Sequence, residues 1–247
     1  MSSLTVRRDG AVAVLTIDRP PANAMDAASL HELADTVAAL ETDDAVDALV
    51  ITGAGRSFSA GLDLKSIVDS SAADQEDLIE ALNRAFVAVY SCPRRTVAAV
   101  NGHAIAGGLV LLLCCDVRLA TDGPLRAALA EVRVGVVFPV GAIEVVRGEL
   151  APPVARRLAL TGAPFDAVEG VELGVFDRIV PAADLPAEAL AAANADPTPR
   201  DAYAAIKAQL RAAPIERTRA ALGGRDPLPR PWLTAETFAA ADAALRR

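Results

Sequence analysis

The sequence is poor in the residue types that most often bind metals or form covalent cross-links. It holds three cysteines and two histidines among 247 residues. Cys114 and Cys115 are adjacent within an apolar run, and this spacing fits neither a disulfide framework nor a metal site, so we expect small buried side chains. Only His31 and His103 are present, which disfavours a histidine-based zinc site and a Ser/His/Asp triad. We therefore expect no metal.

Long apolar runs and clusters of basic residues are also missing. The longest uninterrupted apolar stretch, Ala104 to Cys115, is well short of the roughly 20 residues that span a bilayer, and the N-terminus lacks the apolar core of a signal peptide. The formal net charge is -8, and no cluster of Lys and Arg stands out, which argues against a nucleic-acid partner. We predict a soluble, cytoplasmic protein that binds neither membranes nor nucleic acid.

What the sequence does contain is a large apolar fraction in alternating strand and helix patterns. Hydrophobic residues make up 53% of the chain, enough to fill the core of one large α/β domain. Alternating apolar residues predict a first strand at Ala11–Asp18, and apolar positions on one face predict a helix at about residues 27–41. Short apolar runs that end in glycine turns predict buried strands at 48–55 and 97–102. Strands that alternate with helices favour parallel pairing.

From Asp184 onward the chain is rich in alanine, which favours helix, and no further strand pattern follows. Proline or glycine divides this region into four predicted helices: Leu185–Ala195, Arg200–Ala212, Ile215–Leu222 and Ala235–Arg247. We therefore predict a core over residues 1–190 and a C-terminal helical region over residues 191–247.

Two segments share a design in which an apolar strand, a tight turn and small residues lead into a helix. They are "GRSFSAGLDL" (residues 55–64) and "NGHAIAGGLVLLL" (residues 101–113). Each can expose a free backbone N–H, and two such donors that point at one position form an oxyanion hole. Alternatively, the glycines only permit close packing between helix and sheet. Neither segment alone decides between these interpretations.

Five blocks in a fixed order, with a sixth after them, resemble the enoyl-CoA hydratase/isomerase, or crotonase, family. The blocks are "RPPANAM", "RSFSAGLDL", "AAVNGHAIAGG", "CCDVRLA" and "EVRVGVVFP", followed by "ALTGAPFDAVEGVELGVFDRIVP". The resemblance implies an α/β, crotonase-like spiral of ββα turns whose C-terminal helices serve as a lid or in contacts of a homotrimer or homohexamer. It also implies an acyl-CoA substrate, in which coenzyme A is part of the thioester rather than a separate cofactor.

The same resemblance assigns roles to individual residues. It implies that the backbone N–H groups of Ala60 and Gly107 hold the thioester carbonyl oxygen, while Gly108 allows close packing behind Gly107. It implies a CoA site formed by Ala22, Ala24, Ala60, Gly61, Leu62, Asp63, Leu64, Lys65 and Gly107. Lys65 either meets a CoA phosphate or is an ordinary solvated lysine, and the sequence leaves both open.

The acidic residues distinguish two reactions. Hydratases of the family use two glutamates; in this sequence Val110 stands at the first position and Glu131 at the second. Valine neither holds nor deprotonates water, so hydration is disfavoured. One base is enough to move a double bond from the 3,4 to the 2,3 position through an oxyanion-stabilised dienolate. With Pro139 standing where dienoyl-CoA isomerases carry an aspartate, the chain most resembles the Δ3,Δ2-enoyl-CoA isomerase branch.

Two other functions stay open at this point. One is a non-catalytic acyl-CoA-binding protein, and the other is a different reaction of the family, such as hydration by an unusual route, decarboxylation or thioester hydrolysis. Among the remaining polar residues, His103 is expected to pack or hydrogen-bond locally, and Glu144 to lie half exposed on a helix in a structural role. Asp116 is expected to fix a turn through backbone hydrogen bonds.

Overall fold

Six strands form the larger of two sheets in the computed structural model, which describes residues 2–64, 70–195 and 198–245. With numbers that follow the chain through both sheets, they are β1 (Leu4–Asp9), β2 (Val12–Ile17), β3 (Ala48–Gly53), β5 (Arg95–Val100), β7 (Val117–Thr121) and β9 (Arg178–Val180), and they lie side by side in this order. β1 and β2 pair as an antiparallel hairpin, and each later pair is parallel. The predicted parallel pairing is confirmed.

The second sheet consists of three short parallel strands. They are β4 (Ser57–Ser59), β6 (His103–Ile105) and β8 (Ala127–Ala128). Each follows a strand of the first sheet, namely β3, β5 or β7, and each is followed along the chain by a helix or a helical turn. This repeat confirms the predicted α/β spiral of ββα turns.

The pattern analysis does not predict β1. Only Leu4 of this edge strand is buried, so its residues show no alternation between a buried and an exposed face. The turn to β2 is made by Gly10, which has a φ of +57°. The strand forms because its backbone pairs with β2, which is a tertiary effect that side-chain pattern does not report.

Helices follow the strands and complete the core. In chain order they are α1 (Ala27–Glu41), α2 (Ala72–Ser91), α3 (Gly107–Leu113), α4 (Val140–Glu149), α5 (Pro152–Thr161), α6 (Ala167–Glu172), α7 (Leu185–Ala193), α8 (Arg200–Ala221) and α9 (Ala235–Leu245). α1 begins at a capping box in which Asp26 and Ser29 each accept the other's backbone N–H. Its bounds agree with the helix predicted at residues 27–41.

α7 crosses the predicted boundary at residue 190. Leu185, Ala189 and Ala193 on this helix are buried in one apolar cluster with first-sheet residues such as Val50 and Val97. Because α7 covers the sheet, the core extends to Ala193 rather than ending at residue 190.

α8 continues through Pro214, where the sequence predicts two separate helices. Proline removes one N–H donor and one helical hydrogen bond, which is a local cost. Buried residues on both sides of the proline, among them Arg211 and Thr218, fix the helix against α2 and α4 and offset that cost. Within the described ranges, no helix is long and apolar enough to cross a membrane.

Buried ion pairs attach α8 to the core. Lys207 Nζ lies 2.8 Å from Asp116 Oδ2, Arg211 Nη1 lies 2.9 Å from Asp116 Oδ1, and Arg211 Nη2 lies 3.0 Å from Glu149 Oε1. Burial alone would raise the pKa of Asp116, but Lys207 and Arg211 outweigh that effect and hold it below its usual value. Asp116 also accepts the Thr96 N–H at 2.9 Å. It therefore fixes the backbone as expected and, beyond that, anchors α8.

We expect Asp116→Asn to lower the free energy of unfolding by about 3–5 kcal/mol, because Lys207 and Arg211 would remain buried without this counter-charge. Urea denaturation at neutral pH measures the loss. Glu188→Gln is the control, since it breaks an exposed pair with Arg178 and should cost less than about 1 kcal/mol. Similar losses in both variants would contradict an anchoring role for Asp116.

Candidate active site

A cavity of about 460 Å³ lies at the carboxyl ends of the second sheet's strands. Ala60 directly follows β4, Ala106 directly follows β6, and Ala130 comes two residues after β8. Parallel strands bring their carboxyl ends to one edge, which explains why these distant segments meet. The rest of the wall is mostly apolar and consists of Arg19, Pro20, Pro21, Ala22, Ala24, Leu62, Asp63, Leu64, Leu82, Phe86, Ile105, Gly107, Glu131, Val134, Val136, Pro139 and Ala142.

Gly61 brings two of these segments into contact. Its φ is +80°, and a Cβ at this position would lie 2.7 Å from the Ile105 carbonyl oxygen and 3.1 Å from the Gly107 nitrogen. Only glycine combines this φ with such a close approach. The loop after β4 therefore lies directly against the start of α3.

Two backbone N–H groups beside this contact have no hydrogen-bond partner among the described residues. Leu62 forms a parallel bridge with Met25. In this bridge the Met25 N–H donates to the Gly61 carbonyl oxygen and the Asp63 N–H donates to the Met25 carbonyl oxygen, so the Leu62 N–H makes no bond. Gly107 opens α3, and the first N–H of a helix has no intrahelical acceptor. Both residues line the cavity. The two segments thus offer a pair of free donors beside the same space.

Ala60 does not supply one of these donors. Its N–H donates to the Ala22 carbonyl oxygen at 2.9 Å, which joins the loop after β4 to the "PPAN" segment. The prediction that Ala60 contributes an oxyanion donor is therefore wrong. The chain turns at Gly61, so the free amide falls on Leu62, the residue after the glycine.

Gly108 has the packing role that the sequence predicts for it. A Cβ at this position would lie 2.3 Å from the Ser59 carbonyl oxygen, so α3 and β4 approach too closely for any side chain. Of the two interpretations of the paired glycines, close packing therefore applies to Gly108, while Gly107 presents a free N–H.

Glu131 begins a 3₁₀ turn (Glu131–Val134), and its side chain lines the cavity. It is only 7% exposed, and its Oε2 atom is buried with no hydrogen-bond partner in the described part of the chain. Burial disfavours the charged form and raises the pKa of Glu131 to about 8, although its own backbone N–H acts in the opposite direction. A carboxyl group with this pKa both takes and returns a proton near neutral pH.

The other charged groups of the wall are paired. Arg19 Nη1 lies 2.9 Å from Asp63 Oδ2, and Arg19 Nη2 lies 2.8 Å from Asp26 Oδ2. Val110 is fully buried on α3 and does not line the cavity. Within the described wall, Glu131 is therefore the one carboxyl group that no cation engages.

Most residues that the resemblance assigns to the site lie together. Those that line the cavity are Ala22, Ala24, Ala60, Leu62, Asp63, Leu64, Gly107 and Glu131. Gly61 lies behind them, and Lys65 falls outside the described residues. Arg19, Leu82 and Phe86 also line the cavity, and neither the sequence patterns nor the resemblance points to them. Leu82 and Phe86 are four residues apart on one face of α2, and this spacing is the signal that could have located them.

Two further residues have local roles. His103 Nδ1 accepts the Arg126 N–H at 3.1 Å, which confirms its predicted local hydrogen bonding. Glu144 is 4% exposed rather than half exposed, and Arg217 Nε, which donates to its carboxylate at 2.6 Å, offsets the cost of this burial. Its role is structural, as predicted. In the three described ranges, no group of three or more His, Cys, Asp or Glu residues is placed to hold a metal ion.

Comparison with known proteins gives one consistent result. Residues 7–225 match the family model described as enoyl-CoA hydratase/isomerase. A protein named probable enoyl-CoA hydratase from Mycobacterium tuberculosis is 33% identical over 193 residues, which cover 78% of this chain and 74% of that protein.

Solved structures agree with the sequence match. The crystal structure of another probable enoyl-CoA hydratase, from Mycobacterium tuberculosis H37Rv, superposes with a TM-score of 0.84 at 27% identity over 100% of both chains. Human mitochondrial Δ3-Δ2-enoyl-CoA isomerase superposes with a TM-score of 0.84 at 29% identity, over 89% of this chain and 87% of that chain. The fold class predicted from the sequence is thus confirmed.

We expect Glu131→Gln to raise the melting temperature relative to the native protein, by an amount that grows from about pH 4.5 to about pH 8. In this window the unfolded chain ionises Glu131 while the folded protein keeps it protonated, so the native protein loses stability as the pH rises and the variant does not. Thermal unfolding across the window measures the difference. A difference that does not change with pH would contradict the raised pKa of Glu131.

Gly61→Ala is expected to destabilise the protein more than Gly174→Ala. Both glycines have a positive φ, +80° and +72°, but only a Cβ at Gly61 would collide with another segment. Gly174→Ala therefore reports the conformational cost alone, about 1–2 kcal/mol. Chemical denaturation measures both losses, and equal losses would contradict the close contact between the two loops.

Proposed function

The chain belongs to the enoyl-CoA hydratase/isomerase family, and we propose that within it the protein moves the double bond of a 3-enoyl-CoA to the 2-position. The observation that carries this proposal is Glu131, a buried carboxyl group without a cationic partner among the described residues, in a mostly apolar cavity. Coenzyme A enters as part of the thioester, and the reaction needs no separate cofactor.

Glu131 acts as the sole base and the sole acid. Its carboxylate takes a proton from the α-carbon of the thioester, and the electron pair of the broken C–H bond is delocalised onto the carbonyl oxygen to give a dienolate. The protonated carboxyl group then returns the proton to the γ-carbon. The double bond now lies between the α- and β-carbons, and the carboxylate is regenerated without consumption of water.

The negative charge on the dienolate oxygen needs donors that are already in place. We assign this role to the N–H groups of Leu62 and Gly107, which have no other partner among the described residues. Loss of one such donor typically costs about 10²–10³ in kcat. Ala106 supports the arrangement, because its φ of +51° and its N–H bond to the Ala128 carbonyl oxygen (2.7 Å) fix the start of α3.

Hydration is less well supported. Addition of water to a conjugated thioester needs one group to deprotonate water and another to deliver a proton to the α-carbon. Val110 supplies neither function, and Asp63 is paired with Arg19. One uncommitted carboxyl group therefore favours isomerisation, in which a single proton moves between two carbons.

We assign the CoA arm of the substrate to the part of the wall formed by Ala22, Ala24, Leu62, Asp63 and Leu64, and Gly61 shapes that segment. Contact of Lys65 with a CoA phosphate remains a prediction of the resemblance, as does assembly into a homotrimer or homohexamer.

The test is conversion of a 3-enoyl-CoA, followed at the absorbance of the conjugated product. Glu131→Gln should reduce kcat by about 10²–10⁴, because the variant has no base. Glu144→Gln is the matched control, since it removes another buried carboxylate, away from the cavity, and should leave kcat unchanged.

Binding and product analysis separate the remaining possibilities. Calorimetry should show that Glu131→Gln still binds the acyl-CoA, so that its loss of activity is chemical. If the native protein binds acyl-CoA but converts none of it, a binding function replaces the isomerase. If the product carries a hydroxyl group, the reaction is hydration and the one-base mechanism is wrong.

A further inference from the structure

The C-terminal segment, residues 225–238, folds back onto the stretch of chain that carries Glu131. That stretch runs from the 3₁₀ turn through residues 135–139 into α4, and it lines the cavity with Glu131, Val134, Val136, Pro139 and Ala142. α9 packs against the 3₁₀ turn, and Thr237 is buried there. Residues 225–238 thus support the Glu131 segment from outside, although they lie about one hundred positions later in the sequence.

Trp232 makes the central contact. Its Nε1–H donates to the Val137 carbonyl oxygen at 2.8 Å, and the residue is 3% exposed. Val137 itself is 51% exposed, and no other hydrogen bond from the described residues reaches the backbone of 137–138. Among the described residues, the indole therefore supplies the one hydrogen bond to the middle of this loop.

Trp232 is held in turn by α2. Gln75 Oε1 accepts the backbone N–H groups of Trp232 and Leu233, both at 3.0 Å, and Gln75 Nε2 donates to the Leu233 carbonyl oxygen at 3.3 Å. α2 also contributes Leu82 and Phe86 to the cavity wall. The indole is thus fixed relative to a helix that forms another part of the cavity wall.

Asp226 supports the far end of the same loop. Its Oδ2 accepts the Val140 N–H and the Asn83 side-chain amide, both at 2.8 Å, and Asn83 Oδ1 accepts the Gly141 N–H at 2.7 Å. These bonds satisfy the first two N–H groups of α4, which has no side-chain cap of its own. The C-terminal segment therefore holds the loop at its middle and at its end.

We propose that Trp232 is a positioning residue. Its hydrogen bond to Val137, with the support of Asp226, shields the Glu131 carboxyl group from water and orients it toward the reacting carbons. The inference rests on the proposed function for the identity of the reaction. Without the indole donor the exposed loop moves outward and water reaches Glu131. A hydrated carboxylate is stabilised, which lowers the pKa, and poorer aim slows proton transfer.

Charged neighbours do not obscure this effect. Burial raises the pKa of Glu131, and no charged group among the described residues contributes to this shift. The charged side chains on the surrounding elements are engaged elsewhere or exposed. Arg133 bonds the Thr161 carbonyl oxygen, Arg19 pairs with Asp63, Glu144 pairs with Arg217 and Arg147, and Asp226 accepts N–H donors. Arg156 and Arg157 of α5 and Glu236 of α9 are exposed.

Trp232→Phe keeps an aromatic ring but removes the N–H donor together with part of the buried volume of the indole. We expect kcat for isomerisation to fall about 10- to 100-fold and KM to change by less than about threefold, because the loop orients the base rather than the CoA arm. The midpoint of the pH profile of kcat/KM should move to lower pH by about one unit. A purely structural residue would leave that midpoint unchanged.

Tyr203→Phe is the matched control. It also deletes one side-chain donor from the C-terminal helical region, the O–H that bonds Asp116 Oδ2 at 2.8 Å, but Tyr203 does not line the cavity. This variant should keep the native kcat and the native midpoint. An acid shift of the same size in Tyr203→Phe would overturn the specific role of Trp232.

A second readout separates this inference from the proposed function. The titration midpoint of Glu131 is obtained without any substrate, from the pH dependence of the melting-temperature difference between each protein and its Glu131→Gln counterpart. If the native protein does not isomerise 3-enoyl-CoA, the proposed function fails, yet an acid shift of this midpoint in Trp232→Phe still supports positioning. An unchanged midpoint in Trp232→Phe overturns the inference, whatever the activity.

If Trp232→Phe does not fold, Asp226→Asn tests the same support. In this variant an NH2 group replaces one carboxylate oxygen and cannot accept the N–H donors of Val140, Asn83 or Leu228. Part of the hydrogen bonding at the start of α4 is therefore lost. The same acid shift of the Glu131 midpoint is expected, and its absence overturns the inference.

Discussion

A carboxylate that loses its water and gains no cation becomes a stronger base, and Glu131 is in this situation. The surrounding fold must offset the free-energy cost of keeping it there. The wall from α2 and α4 excludes water with apolar side chains, and Arg19 engages Asp63, so that the second carboxyl group of the wall is neutralised. The segment that carries Glu131 has few hydrogen bonds of its own and relies on the C-terminal region for support.

The ββα repeat explains how the remaining parts reach this carboxyl group. Three short parallel strands end at one edge, and each delivers one element of the site: the Leu62 amide after β4, the Gly107 amide after β6 and Glu131 after β8. Gly61 and Gly108 allow the first two segments to touch. The Asp116 ion pairs anchor α8, from which the chain continues to the segment that holds Trp232.

Sequence patterns predicted the parts of this structure whose side chains report burial. α1 and β2 have apolar positions at the period of a helix and of a strand, β3 and β5 contain continuous apolar runs, and the resemblance carried by the ordered blocks implies the spiral. β1 escaped notice because it pairs through its backbone and is exposed along most of its length. Pro214 suggested a break because the packing of α8 on two other helices is not visible in its own sequence. The resemblance assigns an oxyanion donor to Ala60, whereas the structure leaves the Leu62 N–H free, because the direction of a backbone N–H depends on the turn at Gly61 and a residue pattern does not encode it.

In the proposed isomerisation, one carboxyl group, made basic by burial, carries both proton transfers. The most direct test is the pH dependence of kcat/KM for isomerisation of a 3-enoyl-CoA, which reports ionisations of the free enzyme. We expect a single rise with pH, half-complete near pH 8, because burial raises the pKa of Glu131 to about 8. A bell-shaped profile, or a rise centred near the ordinary carboxyl value of about 4.3, would contradict it.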